Sequence, residues 1–308
     1  MPQVSVILPT RNRERFLATS LRSALAQTFA DLEVIVVDDA SADGTPGVVE
    51  RFGDRRVRYI RHPARRGGAA ARNAGIGRAR GDSIAFLDDD DEWHEEKIAR
   101  QVELLAASPE AVGVIYTGYS IVDRASGKIC GQRIAAARGD LSSALRRENC
   151  VGGSSSVLVR KSCLDRVGWF DESLPSFQDY DLWLRLAREF QFDCIARPML
   201  NYSLHPDRIG TDLDALSRGI DLMLRKHGRS RSLRKYLSYR CLSLGVRYCE
   251  QGDAARGREA CLRAIALYPL EIRHYLNLGL AFFGGKNFRR IKGSPVWRAV
   301  ARSLGPAA

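Results

Sequence analysis

Four short runs of aliphatic and β-branched residues punctuate the first 87 positions, and a stretch of helical patterning follows each of the first three. Val4–Pro9 (VSVILP), Glu33–Val37 (EVIVV), Val57–Arg61 and Ser83–Leu87 read as strands. Nearly continuous apolar runs of this length fit strands buried on both faces. Between them lie an Arg-rich helix to about Gln27, a helix after DDASADGT that Ser41 or Asp43 could cap, and an Ala-rich helix over Gly67–Arg80. The alternation predicts an α/β chain whose mostly parallel sheet carries helices on both faces. Such sheets bind ligands beyond the carboxyl ends of their strands. Asp38–Asp39 and Asp88–Asp91 both stand just past strand ends, so both acidic clusters are expected on one rim.

The next part mixes elements: a helix from Trp93 to Ala107, strands at 112–122 and 155–159, a short helix, and a helix from about Tyr180 to Phe190. From Leu213 onward only helices are expected. The predicted domains are 1–214, divided into halves 1–92 and 93–214, and a basic helical region, 215–308. Net charge is +12, yet residues 1–214 are slightly acidic; the excess comes from 19 Lys and Arg against 5 Asp and Glu beyond them. A basic tail of this kind suits a polyanionic partner such as a membrane surface, a nucleic acid or an acidic polysaccharide. Leu244-Gly245-x-x-Tyr248 recurs as Leu278-Gly279-x-x-Phe282, an echo of stacked helix pairs of the tetratricopeptide type that breaks at GGKNFRRIKGSP. An unrelated helical cap is the competing reading. Seven scattered cysteines without a CxxC pair, and a start (MPQVSVILPTRNR) without signal-peptide architecture, lead to the expectation of a cytoplasmic chain.

AFLDDDDEW (85–93) needs an explanation, because adjacent carboxylates repel and burying one unpaired is costly. One or two of the acids could start the following helix. Four suggest a hard divalent cation, Mg²⁺ or Mn²⁺, which takes oxygen ligands and bridges to phosphates. No GxxxxGK[ST] and no dinucleotide fingerprint is present. Asp39 suits either an Asx-type turn or a bond to a base N–H or ribose hydroxyl. Arg72, among small residues in GGAAARNAG, is either an exposed helical cation or a diphosphate contact. Asp179 in SFQDYDLWLRLA falls near a helix start, where it caps or takes a proton from a hydroxyl. His205 is either structural or in touch with a phosphate or metal.

VSVILPTRNR, VIVVDDASADGT, AAARNAGIGRARGDSIAFLDDDDEW and GWFDESLPSFQDYDLWLRLA, in this order and spacing, resemble family 2 glycosyltransferases with the GT-A fold over roughly residues 2–210. The resemblance implies a nucleotide-sugar donor, usually a UDP-sugar, a divalent metal and an inverting reaction. It places Pro9, Thr10, Asp39, Arg72, Asp88 and Asp89 at the donor and Asp90 on the metal. Asp179 becomes the catalytic base, with Trp93 and Gln178 on the acceptor side and His205 at the diphosphate or metal. Asp91 is left as a helix cap. Gln178 stands where the family has Glu.

The expected acceptor is a glycan or lipid-linked saccharide, approached at the cytoplasmic face of a membrane as a peripheral protein. The region 215–308 is the expected contact for an anionic membrane surface or a protein partner. Nucleic acid is not expected, because no aromatic-and-basic platform accompanies the charge. The alternative is a non-catalytic nucleotide-sugar-binding or scaffold protein with the same fold and a helical-repeat tail.

Overall fold

The computed structural model describes residues 1–205 and 212–282, which divide into two compact units. The first is α/β. Its strands are β1 (Val4–Thr10), β2 (Leu32–Asp38), β3 (Val57–Arg61), β4 (Ser83–Phe86), β5 (Glu92–Trp93), β6 (Val112–Asp123), β7 (Ile129–Arg133), β8 (Val157–Arg160) and β9 (Gln191–Leu204). Its helices are α1 (Glu14–Leu25), α2 (Thr45–Glu50), α3 (Gly68–Ile76), α4 (Lys97–Ala107), α5 (Ser142–Arg147), α6 (Lys161–Val167) and α7 (Gln178–Leu186).

All strands join one sheet in the order β3-β2-β1-β4-β8-β6-β9-β5, with β7 on β6. The first four strands are parallel, and β8 turns antiparallel to β4. Register places Thr10 of β1 beside Asp38 of β2, which aligns the strand ends where the acids begin. Strand order steps outward in both directions from the β1–β4 pair, and this reversal opens a crevice at their carboxyl ends.

Alternation along β1 explains the layering. Val4, Val6 and Leu8 join a core with Leu17 and Leu21 of α1 and Ile98 and Leu105 of α4. Ile7 faces the other way, onto α3, where a Cβ on Gly75 would overlap its side chain. The small residues around Arg72 thus bring the strand close, and Arg72 itself is carried at a fixed height above the sheet.

Several elements differ from the sequence reading. The helix expected from Trp93 starts at Lys97, because Glu92 and Trp93 pair with Asn201 and Leu200 of β9. Asp91 therefore caps no helix; its carboxylate accepts from Ser203 N–H at 3.1 Å. The Ala-rich helix ends at Ile76, and Ser154–Ser156 form a 3₁₀ turn ahead of β8. β9, the longest strand at 14 residues, was not anticipated, nor were β7 and α5.

The second unit, by itself, is helical: α8 (Leu213–His227), α9 (Arg231–Glu250), α10 (Ala254–Leu267) and α11 (Ile272–Ala281). Asp212, Ser230 and Asp253 cap the first three, each accepting a backbone N–H. A Cβ on Gly257 would collide with Cys249, so α9 and α10 pack at glycine distance. The repeat echo is only half realised. Leu244 and Tyr248 are buried, whereas Phe282 is exposed and a Cβ on Gly279 would meet nothing. The GGKNFRRIKGSP break lies outside the described residues. Among the described residues no helix is long and apolar enough to cross a membrane.

Candidate active site

The rim beyond β1, β2 and β4 collects most of the expected residues. Thr10, the last residue of β1, donates its hydroxyl to Asp89 at 2.7 Å, and Arg13 lies 3.9 Å from the same carboxylate. Pro9, one step back, is buried beside Val37 in the β1–β2 register. Arg72 reaches from α3 to Asp88 at 2.6 Å and to Gln178 of α7 at 3.2 Å. Its Nε is buried and has no hydrogen-bond partner. Asp179, next to Gln178, lies within electrostatic range of both Arg72 and Asp88. One guanidinium thus links the acidic run to the candidate base.

The acids are held individually. Asp88 takes the Ser154 hydroxyl at 3.2 Å, and its own N–H bonds Ser155 at 3.0 Å. Asp90 lies 2.8 Å from Nε2 of His205 and is 17% exposed. The His205 ring is tilted on Phe16 at 4.7 Å, and the Arg124 guanidinium lies 4.4 Å from the centre of the same Phe16 ring. Asp91 is fully buried in the link to β9.

Electrostatics shows what the protein does not balance. Burial first, then the adjacent Asp90 charge, push Asp89 up to about 7 despite Thr10 and Arg13. Burial, then the Asp90 and Asp88 charges, hold Asp91 well above the usual carboxylate range. Burial also lifts Asp179 to about 6, against the Tyr180 N–H and Arg72. A cluster that resists its own ionisation has room for an added cation. Among the described residues no three His, Cys, Asp or Glu side chains converge into a cage. The set fits a cation of the Mg²⁺ or Mn²⁺ kind, held by one or two carboxylates and completed by substrate phosphate and water. Asp90 and Asp88 are the acids with exposed surface for that purpose.

Asp39 forms a separate pole. Its carboxylate accepts from His62 Nδ1 at 2.9 Å, Arg66 N–H at 2.7 Å and Gly67 N–H at 2.8 Å. Burial opposes its ionisation, but these bonds outweigh burial, and its pKa falls below the ordinary value. Asp39 N–H donates to Thr10 O at 2.9 Å, which couples this pole to β1. Alongside runs an open cleft of about 750 Å³ lined by Arg11–Phe16, Ala42 and Asp43.

Trp93 does not belong to this rim. It is 3% exposed in the main core, its Nε1 donates to Ser155 O at 2.8 Å, and Lys97 Nζ sits 4.1 Å above its ring. It supports the turn that holds Asp88 and presents no surface to an acceptor. Sequence reasoning missed His62, Arg13, Ser154 and Ser155. A histidine after a strand carries no mark of its partner, and three serines before VLVR read as the strand's edge.

A parallel α/β core with acids at the carboxyl ends of its central strands, followed by antiparallel strands and a second unit of helices, defines the class. Residues 5–161 match the model for glycosyl transferase family 2, and the chain belongs to that family. A UDP-Glc:α-D-GlcNAc-diphosphoundecaprenol β-1,3-glucosyltransferase of Escherichia coli is 31% identical over 192 residues, covering 62% of this chain and 72% of that protein. The amylovoran biosynthesis glycosyltransferase AmsB of Erwinia amylovora is 31% identical over 211 residues, 65% of this chain and 69% of that one. The match covers only 59% of an uncharacterized Rickettsia typhi glycosyltransferase, which is 30% identical. Among solved structures, S. aureus TarS 1-349 with UDP-GlcNAc superposes with a TM-score of 0.64 at 17% identity, over 94% of this chain and 92% of that one. The mannosyltransferase PcManGT of Pyrobaculum calidifontis with GDP-Man and Mn²⁺ gives 0.61 at 19%, over 98% and 84%. At such identity these likenesses speak for the fold.

Proposed function

We propose that this chain transfers a sugar from a UDP-sugar to a hydroxyl of a lipid-linked saccharide, with inversion at the anomeric carbon. The observation that carries the reading is the Arg72 bridge, which sets the Asp88–Asp90 run and Asp179 around one guanidinium.

Uridine is favoured by Asp39. A carboxylate offers about four acceptor positions. Three are taken by His62, Arg66 and Gly67, which leaves one on Oδ2. One acceptor suits the single imide N–H of uracil better than the adjacent N1–H and N2–H of guanine. Thr10 and Arg72 flank the path from this pole toward Asp88 and Asp89. Asp90, with Asp88 beside it, would hold Mg²⁺ or Mn²⁺. A bound cation of this kind neutralises charge on a departing diphosphate.

Asp179 takes the proton from the acceptor hydroxyl. That oxygen attacks the anomeric carbon on the face opposite the diphosphate, so one displacement inverts the configuration. A base near pKa 6 is ionised at neutral pH yet basic enough to accept a proton as the bond forms. Arg72 keeps Asp88 and Gln178 in register with it. A lipid-linked acceptor follows from the Escherichia coli relative, whose name specifies a diphosphoundecaprenol-linked substrate.

Calorimetric titration with UDP, with and without Mn²⁺, tests the reading. Binding that requires metal in the wild type and disappears in Asp90→Ala is the expected result. A folded protein that ignores UDP under both conditions would overturn the donor assignment.

A further inference from the structure

In the helical unit, some arginines sit against carboxylates. Arg256 pairs with Asp214 and Asp253, Arg263 with Asp221, and Arg273 with Glu271. Arg229, Arg231 and Arg234 are exposed, and no carboxylate among the described residues pairs with them; the same holds for Arg218 and Arg225, but the first three gather around one hollow. They crowd the start of α9, whose first turn contains no acid. Cations there add to the positive end of the helix dipole, an arrangement that water alone compensates. Lys235 extends the cluster and lies 5.3 Å over the Tyr268 ring.

The turn between α10 and α11 completes the patch. Leu267–Leu270 and the three arginines line a hollow of about 270 Å³. Leu270 is 75% exposed and Ile272 is 55% exposed. Tyr275, also exposed, ties into the turn by donating to Pro269 O at 2.9 Å. Single exposed apolar residues are ordinary on a protein surface. Leu270 lines the hollow with three arginines that no described carboxylate pairs, Ile272 follows two residues on, and Glu271 between them is engaged by Arg273 and Tyr239; together they form a combined feature.

We propose that this patch docks on an anionic phospholipid surface. The arginines take headgroup phosphates while Leu270 and Ile272 enter the boundary of the acyl layer. Charge complementarity favours this partner, and the aliphatic lip distinguishes it from a nucleic acid, whose backbone offers nothing apolar to meet. The proposal deepens the reading of a lipid-linked acceptor, because it names the surface that brings the chain to that substrate. It requires nothing of the catalytic residues.

The test is co-sedimentation of the full chain with phosphatidylglycerol/phosphatidylcholine vesicles and with pure phosphatidylcholine vesicles. Wild type is expected to bind only the anionic ones. At roughly fivefold per charge, Arg229→Gln with Arg231→Gln and Arg234→Gln weakens partitioning about 100-fold. Leu270→Ser weakens it about tenfold. Both variants keep their UDP titration, since all the changes are exposed. Three results would overturn the proposal: no wild-type binding to the anionic vesicles, equal binding by the triple variant, or full displacement by RNA at matched charge. Vesicle binding with no transfer to a lipid-linked saccharide would instead sink the acceptor reading and leave the docking surface standing.

Discussion

The Arg72 guanidinium bonds Asp88 at 2.6 Å with one terminal nitrogen and Gln178 at 3.2 Å with the other. This fork crosses 106 positions of sequence to α7 and only 16 to the acidic run. A lysine has one charged nitrogen and cannot span both. Arg72→Lys is expected to lower kcat/KM by about 100-fold and stability by about 2 kcal/mol. Steady-state kinetics and chemical denaturation check both. A lysine variant with wild-type turnover would remove the bridge from the mechanism.

Asp179→Asn keeps an acceptor for the Tyr180 N–H, which bonds the carboxylate at 2.7 Å, but cannot take a proton. Transfer should fall by about 10²–10⁴ while UDP binding is retained. The same change should raise the melting midpoint. Burial lifts Asp179 from 3.8 to about 6, so the folded state binds the extra proton and loses stability as pH rises through that interval. Neutralising the group recovers the loss, on the order of 1 kcal/mol after solvent screening. An unchanged rate would mean that another group is the base.

The pH profile follows from the same group. In the proposed mechanism transfer needs ionised Asp179, so kcat/KM should climb with pH and level off above about 6. Gln178→Glu sets a second carboxylate beside Asp179 and should move that limb upward. Rates measured from pH 5 to 8 on both proteins decide it, and identical limbs would detach the limb from Asp179.

His62→Phe removes the donor at 2.9 Å from Asp39 and frees one acceptor position on its carboxylate. UDP affinity should fall about tenfold, and the preference for UDP over GDP should narrow. Parallel titrations with the two diphosphates measure this. A variant that loses affinity for both equally would leave His62 as a brace for the loop and nothing more.

The acidic rim was legible because buried parallel strands announce themselves as apolar runs, and the acids that follow them mark the strand ends. Asp39, Asp88 and Asp90 stand where strand ends put them. The rest depends on pairings that local sequence does not encode. β9 contains Asp193, Arg197 and Pro198, which break any strand pattern, yet it lies against β6 with three register shifts. Its pairing with Glu92 and Trp93 converted an expected helix start into a strand and turned Trp93 into the core. His62 acquired its role only when β3 came to lie beside β2.

The bond between His205 and Asp90 joins residues 115 positions apart. The acidic run leaves the ribosome early, but its fixtures arrive late: Ser154 and Ser155, then Gln178, then Ser203 and His205. Until β9 docks, the four carboxylates are a solvated, solubilising stretch of nascent chain. Completion of this rim is thereby tied to near-complete synthesis of the α/β unit, and a chain that stalls halfway lacks the partners that hold its acids in place.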